Sequence, residues 1–141
     1  MRNGQPREKI RSRMPCVMVV IPDEVLHDEF YLSLYDLLLG ADLRFGYSWG
    51  ELKDETADFF QDVIVFFPKP TETAQSIRRQ MTDMHLACPE ADGLLVTRTD
   101  MSQFKDPVHD ETILTGATPE RLAEAIKSIF AARAAKQPKP L

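Results

Sequence analysis

Five short apolar segments that alternate with helical patterns constrain the fold of this chain more than any other feature of its sequence. Cys16–Ile21 and Asp62–Phe67 indicate strands covered on both faces, because each is a nearly continuous run of apolar and β-branched residues. The remaining three segments are Leu43–Tyr47, Gly93–Thr97 and Glu111–Thr115. Strands that alternate with helices are typical of parallel sheets with crossover helices. The sequence therefore predicts an α/β fold, an open, doubly wound, five-stranded parallel sheet between two layers of helices.

The segments between and after these strands have the periodicity of amphipathic helices. The predicted helices cover residues 24–39, 51–60, 72–87 and a last segment that begins near Thr118. Gly40 follows the first helix at a position where a positive φ is common. Thr118 as N-cap and Pro119 at the first helical position give the last helix the clearest start. Residues 98–110 have no helical period, and a loop of that length in a compact domain is often functional.

Length and charge bound the organisation of the chain. With 141 residues it has the size of one domain, predicted over residues 16–133, with a flexible basic tail at 1–15 and a disordered tail at 134–141. The first tail has five basic residues and one acidic residue, whereas residues 16–131 have nine basic and 21 acidic ones. Because an acidic body repels phosphate backbones, we expect no nucleic acid on the domain itself.

Other features of the composition favour a cytoplasmic protein. No apolar run approaches the roughly 20 residues that span a bilayer. The basic N-terminal residues lack the apolar segment and small-residue cleavage site of a secretory signal. Cys16 and Cys88 do not form a CxxC pair, which indicates buried, idle thiols in a reducing compartment.

The expected functional crevice lies beyond the carboxyl ends of the strands, where open parallel sheets bind their ligands. Candidate residues at these strand ends are Asp23, Glu24, Trp49, Phe67, Lys69, Thr97, Arg98, Asp100 and Gly116. Trp49, beside a glycine at a loop edge, could be a contact anchor within an aromatic rim or part of the core.

The chemistry available to these candidates is limited. Asp23 and Glu24 are adjacent carboxylates that could hold Mg²⁺, or could simply occupy the positive end of the first helix. The junction after the first strand has no glycine, which disfavours nucleotide cofactors. No serine stands in a nucleophile elbow, and the three histidines do not cluster at metal-ligand spacing. The sequence therefore favours a non-enzyme over an enzyme and predicts no cofactor other than Mg²⁺.

At this point the pattern resembles the receiver domain of bacterial response regulators, over roughly Cys16–Arg133. The resemblance rests on the acidic pair Asp23 and Glu24, on Thr97 at the end of the fourth strand, and on the third-strand run that ends at Phe67 and Pro68. It implies a flavodoxin-like, CheY-like fold and a role in signal transduction.

The chain departs from that family at positions that carry its chemistry. Phe67 stands where the family keeps its phosphorylated Asp, and Thr115–Gly116 replaces the Lys that ends the fifth strand. A benzyl group can neither accept a phosphoryl group nor bind a metal. The resemblance therefore implies a pseudo-receiver, a domain used for docking.

A second resemblance is to the nucleotide-sugar lobe of two-lobed glycosyltransferases. It rests on Gly40–Tyr47, on the run from Asp62 to Pro68 with Glu72, and on Thr118–Ile126. The glycine-rich turn is missing, and Gln80 replaces the second donor-binding Glu.

Two hypotheses follow from the sequence. The first is a non-catalytic regulatory or adaptor domain that binds a protein partner, either another protein or a second copy of itself. The second is a small ligand-binding or enzymatic module, dependent on a sugar nucleotide or a metal, that works at the carboxyl ends of the strands.

Overall fold

A computed structural model describes residues 9–22, 28–69, 71–97, 112–115 and 118–136. The strands are β1 (Cys16–Val20), β2 (Asp42–Gly46), β3 (Val63–Phe66), β4 (Asp92–Thr97) and β5 (Thr112–Thr115). The helices are α1 (Asp28–Leu37), α2 (Trp49–Leu52), α3 (Ala74–Ala87) and α4 (Pro119–Lys136), and a 3₁₀ helix covers Lys53–Ala57.

The five strands form one sheet in the order β2-β1-β3-β4-β5, and every neighbouring pair is parallel. Val19 of β1 lies beside Phe45 of β2 and Val65 of β3. This order is one of the two common arrangements of doubly wound α/β folds, and it places the reversal of strand order between β1 and β3. The predicted α/β, doubly wound, flavodoxin-like fold is confirmed.

Two hydrophobic clusters lie on opposite faces of the sheet. Alternate residues of the strands contribute to each, because successive side chains of a strand point to opposite faces. On one face, Val17 and Val19 pack with Leu34 of α1 and with Ile126 of α4. The other cluster joins residues of the strands to α2 and α3, and its members include Met18, Val20, Ile64, Phe66, Trp49, Leu52, Ile77, Met81 and Met84. Every residue of β1 is buried, as predicted for a strand covered on both faces.

Side-chain caps define several helix starts. The Thr118 hydroxyl accepts a hydrogen bond of 3.2 Å from the Arg121 amide, which confirms the predicted start of the last helix. Thr73 caps α3 in the same way, through a 3.1 Å bond from the Ser76 amide. The φ of Gly40, by contrast, lies outside the left-handed region, so the predicted left-handed cap is wrong.

Helix boundaries differ from the sequence expectation in two places. The segment 51–60 was predicted as one short helix, but it divides into α2 and a 3₁₀ helix that ends at Ala57. Ser48 accepts a hydrogen bond from the Glu51 amide, so the helix begins two residues earlier than predicted. Gly46 precedes this start, and a Cβ there would lie 2.5 Å from Leu52 Cγ, which explains why a glycine ends β2.

Both ends of the domain extend further than the sequence predicted. Residues 9–15 were assigned to a flexible tail, but Ile10 forms a parallel bridge with Phe59 and accepts a 3.0 Å bond from the Phe60 amide. Ion pairs of Lys9 and Arg11 with acidic residues of the domain stabilise this placement. α4 likewise continues to Lys136, into the segment 134–141 that the sequence analysis assigned to a disordered tail.

Candidate functional site

Phe67 immediately follows β3 at the carboxyl edge of the sheet, the edge at which the parallel strands end. Its amide donates a 2.8 Å hydrogen bond to the carbonyl of Val20, the last residue of β1. Its side chain is only 6% exposed and packs edge-to-face on Phe30 of α1, with ring centroids 5.7 Å apart and planes at 89°. Ile21 and Pro22, which follow β1, are also buried. The described side chains at this central part of the edge are therefore apolar.

Several predicted site residues fall outside the described part of the chain. They are Asp23, Glu24, Arg98, Asp100 and Gly116. The predicted Mg²⁺ pair and most of the predicted crevice therefore remain predictions. Thr97 is the last residue of β4 and is paired with Thr115, so its backbone lies at the same sheet edge as Phe67. Among the residues that the structure describes, no group of three or more His, Cys, Asp or Glu is arranged to hold a metal ion.

Trp49 begins α2 but is not available as a surface anchor. The residue is only 5% exposed and packs with Met18 and Ile64 in the second cluster. Its indole Nε1 donates a 2.6 Å hydrogen bond to Asp83 Oδ2 on α3, and Lys53 Nζ lies 2.9 Å from the same oxygen. These two donors, the indole first, hold the pKa of Asp83 below its ordinary value. Of the two readings that the sequence left open for Trp49, the structure shows core packing.

Lys69 lies two residues beyond Phe67, and its side chain is exposed. Its backbone amide donates a 2.8 Å bond to Glu72 Oε2. The other oxygen of Glu72 accepts bonds from the side chains of Ser76 and Gln80 on α3. Glu72 therefore supports the first turns of α3 and ties them to the segment that leaves β3.

The outer face of α1 and its C-terminal turn present an apolar surface, which we call the α1 patch. It comprises four exposed side chains: Tyr31, Leu32, Tyr35 and Leu39. Tyr31 anchors the patch, since its ring lies 4.5 Å from that of Phe45 on the edge strand β2 and 6.2 Å from that of Tyr35. Sequence reasoning missed this patch, although Tyr31, Tyr35 and Leu39 recur every four residues and formed a detectable second apolar stripe.

A cluster of charged residues lies at the opposite, amino edge of the sheet and was also missed. The Asp62 carboxylate precedes β3, and its side chain is 9% exposed. Its Oδ1 accepts bonds from Arg11 Nη1 at 2.8 Å and Arg133 Nη1 at 3.1 Å, and its Oδ2 accepts from the Cys16 amide at 2.8 Å. One carboxylate thus ties the N-terminal segment, the start of β1 and the end of α4 together.

Further ion pairs extend this amino-edge cluster. Arg133 Nε donates a 2.8 Å bond to Asp92 Oδ2, and its Nη2 donates to the Glu90 carbonyl. Lys9 Nζ lies 3.1 Å from Glu90 Oε1 and donates a 2.8 Å bond to the Ala87 carbonyl. The signal for the cluster was present in the sequence as basic residues at both chain ends and an acid directly before an apolar strand.

Both cysteines are buried free thiols, as predicted. Burial raises the pKa of Cys88 to about 11, and it also raises the pKa of Cys16. A thiol with a raised pKa has little thiolate at neutral pH and is a poor nucleophile. Both thiols are therefore expected to be weak nucleophiles at neutral pH.

Comparison with solved structures identifies the architecture. A response regulator from Thermotoga maritima has a TM-score of 0.65 and 15% identity, over 84% of this chain and 98% of that chain. The signal receiver domain of an HD domain-containing protein from Pseudomonas fluorescens Pf-5 has a TM-score of 0.63 and 13% identity, over 89% and 93%. A protein described as pilus assembly-related, from Burkholderia pseudomallei K96243, has a TM-score of 0.60 and 18% identity, over 84% and 90%.

The sequence itself gives no comparable match, since no protein-family model and no curated protein matches it significantly. Within the described ranges, no helix combines the length and the apolar composition needed to cross a membrane. At identities of 13–18% the structural likeness defines the fold rather than the activity. The chain therefore has the fold of a CheY-like receiver domain.

Proposed function

We propose that this chain is a non-catalytic regulatory or adaptor domain, a receiver-like fold that lacks a phosphoacceptor and acts through contacts with a protein partner. The observation that supports this most strongly is Phe67. It follows β3 at the position that corresponds, in the receiver resemblance, to the phosphorylated Asp. A phenyl ring has no oxygen for phosphoryl transfer and no lone pair for Mg²⁺.

The surroundings of Phe67 support the same proposal. Its ring is buried against Phe30 in the cluster that also contains Ile21, and Pro22 after β1 is buried as well. A carboxylate transferred into such an apolar setting would lose hydration and would strongly resist ionisation. The described surroundings of position 67 therefore favour a hydrophobic side chain over a carboxylate.

The α1 patch supports a role in protein contacts. Leu32 is 61% exposed and Leu39 is 72% exposed, while Tyr35 offers a ring of the kind that often dominates interface energies. Contiguous apolar surface of this sort commonly marks interaction sites. Glu29 and Asp36 lie on the same helix, and α1 has no basic residue, so the partner surface should be apolar with basic groups at its margin.

Titration with Mg²⁺ tests the absence of receiver chemistry. The buried Trp49 provides an internal fluorophore, and we expect its emission to stay unchanged as Mg²⁺ is added, with or without acetyl phosphate. A saturable change would support a metal-dependent receiver and would contradict the proposal. Thermal shifts with nucleotides and sugar nucleotides provide the second readout, because a clear stabilisation by any of them would favour the ligand-binding alternative.

Site-specific photocrosslinking in cells that express the protein tests the contact surface. A photoreactive amino acid at Tyr35 should give a discrete crosslinked product, whereas the same residue at the exposed position Arg79 on α3 should not. Leu32→Glu should abolish the product, since it places a charge in the apolar contact. Equal crosslinking at both positions would contradict a specific role for the α1 patch.

A further inference from the structure

The amino edge of the sheet contains a cleft that the proposed function does not use. Its volume is about 590 Å³, within the range of pockets that bind small molecules. The N-terminal segment forms one wall through Arg11, Arg13 and Met14, and the end of α4 forms the other through Phe130, Arg133 and Lys136. We call this feature the amino-edge cleft.

Topology explains why basic residues of both chain ends meet here. Parallel strands all begin at one edge, so the residues before β1 lie at that edge. α4 follows β5 and runs back along the sheet, which brings its C-terminal turn to the same place, as the bonds from Arg133 to Asp62 and Asp92 show. The uneven charge distribution of the sequence thus becomes a local concentration of positive charge on an otherwise acidic protein.

The ion pairs do not neutralise all of this charge. Arg11 and Arg133 are balanced by Asp62 and Asp92. Arg13 on one wall and Lys136 on the other are exposed and make no ion pair with any residue that the structure describes. Arg11 is 55% exposed at its side chain and uses only one of its nitrogens for Asp62, so further donors face solvent.

The lining combines these cations with apolar surface. Met14 and Pro15 belong to one wall, and the partly buried Phe130 lies on the other. The chain's own ends outside the described ranges are poor occupants, because residues 1–8 and 137–141 are both basic on balance. An acidic ligand with an apolar part would match the cleft in charge and in surface character.

We propose that the amino-edge cleft binds an acidic polypeptide segment of a partner protein, with carboxylates at Arg11, Arg13 and Lys136 and an apolar side chain against Met14 and Phe130. This deepens the proposed function and rests on it only in that the ligand is a protein. An extended nucleic acid is a worse fit, because the acidic body on either side of the cleft would repel its phosphates.

Fluorescence anisotropy with a labelled peptide tests the proposal. The probe is a short Glu-rich peptide with interspersed Leu, and two comparison peptides replace Leu by Ser or Glu by Lys. We expect the wild type to bind the Glu-Leu peptide and to bind the peptide with Ser in place of Leu several-fold more weakly. The peptide with Lys in place of Glu should show no measurable binding. Binding should weaken as salt rises above about 0.15 M, since exposed charges are screened.

A matched pair of double variants locates the site. Arg13→Glu with Lys136→Glu reverses one Arg and one Lys in the cleft, and Arg79→Glu with Lys127→Glu makes the same charge change at exposed positions elsewhere. The cleft variant should lose at least about tenfold in affinity, and the control should lose less than about twofold. Circular dichroism and thermal melts should show both variants folded, because all four side chains are exposed.

Several outcomes would overturn the proposal. These are equal binding by the two double variants, no binding of the acidic peptide by the wild type, and binding of inorganic phosphate without binding of peptide. Light scattering that shows concentration-dependent self-association, abolished by the cleft variant, would make the occupant a second copy and would also overturn it. Phosphoryl uptake by the protein would instead contradict the proposed function and leave the peptide measurements unaffected.

Discussion

The two ends of the parallel sheet differ in chemistry. Where β1 and β3 end, the described side chains are apolar, and the buried ring of Phe67 packs on Phe30. Where the same strands begin, a nearly buried carboxylate, Asp62, accepts bonds from two arginines and a backbone amide. One edge is thus closed by apolar packing, while ion pairs at the other edge join the N-terminal segment and the end of α4 to the sheet. This contrast teaches that the two edges of one parallel sheet can differ in chemistry, so that the fold alone does not assign a site.

The largest expected effect is that of a substitution at the apolar, carboxyl edge of the sheet. Phe67→Ala removes a side chain that is 6% exposed and leaves a cavity against Phe30. We expect a loss of about 3–4 kcal/mol in the free energy of unfolding, typical of a Phe→Ala change in a core. Urea denaturation measures it, with Tyr47→Ala as control, because Tyr47 is 53% exposed. Equal small losses in the two variants would show that Phe67 does not belong to the core.

The second largest effect is expected from a substitution in the charged cluster at the amino edge. Asp62→Ala leaves the Cys16 amide without its acceptor and removes the acidic partner shared by Arg11 and Arg133. We expect a loss of about 2–3 kcal/mol, somewhat below that of a fully buried pair because both arginines can reach water. Asp92→Ala is the control, since its side chain is 53% exposed and its loss should stay below about 1 kcal/mol. The account of Asp62 would be wrong if the two variants were equally stable.

A third substitution tests how closely the residues at the carboxyl edge are packed. Gly46→Ala at the end of β2 places a methyl group 2.5 Å from Leu52 Cγ, so the buried Leu52 side chain or the helix α2 that carries it must shift. We expect a loss of about 1–2 kcal/mol, measured by thermal or urea unfolding. Gly50→Ala provides the control, because its nearest neighbour would be 3.9 Å away and alanine favours helix. A destabilisation by Gly50→Ala that matches Gly46→Ala would contradict the steric explanation.

The smallest effect depends on pH and concerns Asp83, the one described carboxylate that bonds to Trp49. Its pKa in the folded protein is lowered by the indole and by Lys53, so its ionised form is stabilised. This contribution is present above the ordinary pKa of 3.8 and is lost as the pH falls through the lower folded value.

Asp83→Asn should therefore destabilise the protein at neutral pH and become indistinguishable from the wild type in stability at strongly acidic pH. Because the carboxylate is 40% exposed, the neutral-pH difference should stay below about 1 kcal/mol. Unfolding curves at several pH values measure the difference. A difference that grows as the pH falls would have the wrong sign for this interaction.

The fold could be predicted because its determinants are local and periodic. β1 and β3 are continuous apolar runs, and Thr118 with Pro119 marks the start of α4 through a cap that the structure reproduces. The boundaries of α2 were missed, because the cap at Ser48 competes with the helical period that begins at Glu51. Gly40 shows the limit of a residue preference, since glycine permits a positive φ without requiring it.

The amino-edge cluster was harder to predict, because it depends on contacts between segments that are distant in the sequence. Arg11, Asp62 and Arg133 are separated by 51 and 71 positions, and neither basic residue alone indicates a partner. Trp49 illustrates the opposite case, since its position beside a glycine allowed a surface role that only the packing of α2 against α3 excludes. The strand pattern alone predicted that Phe67 lies where the third strand ends, but it did not predict the packing of its ring on Phe30.

Intact-protein mass spectrometry after incubation with acetyl phosphate and Mg²⁺ tests most directly the claim that this receiver fold lacks phosphotransfer. The mass of the wild type should remain that of the unmodified chain, because the side chain of Phe67, directly after β3, has no oxygen to accept the phosphoryl group. Stoichiometric gain of one phosphoryl group, labile as an acyl phosphate is, would contradict the account.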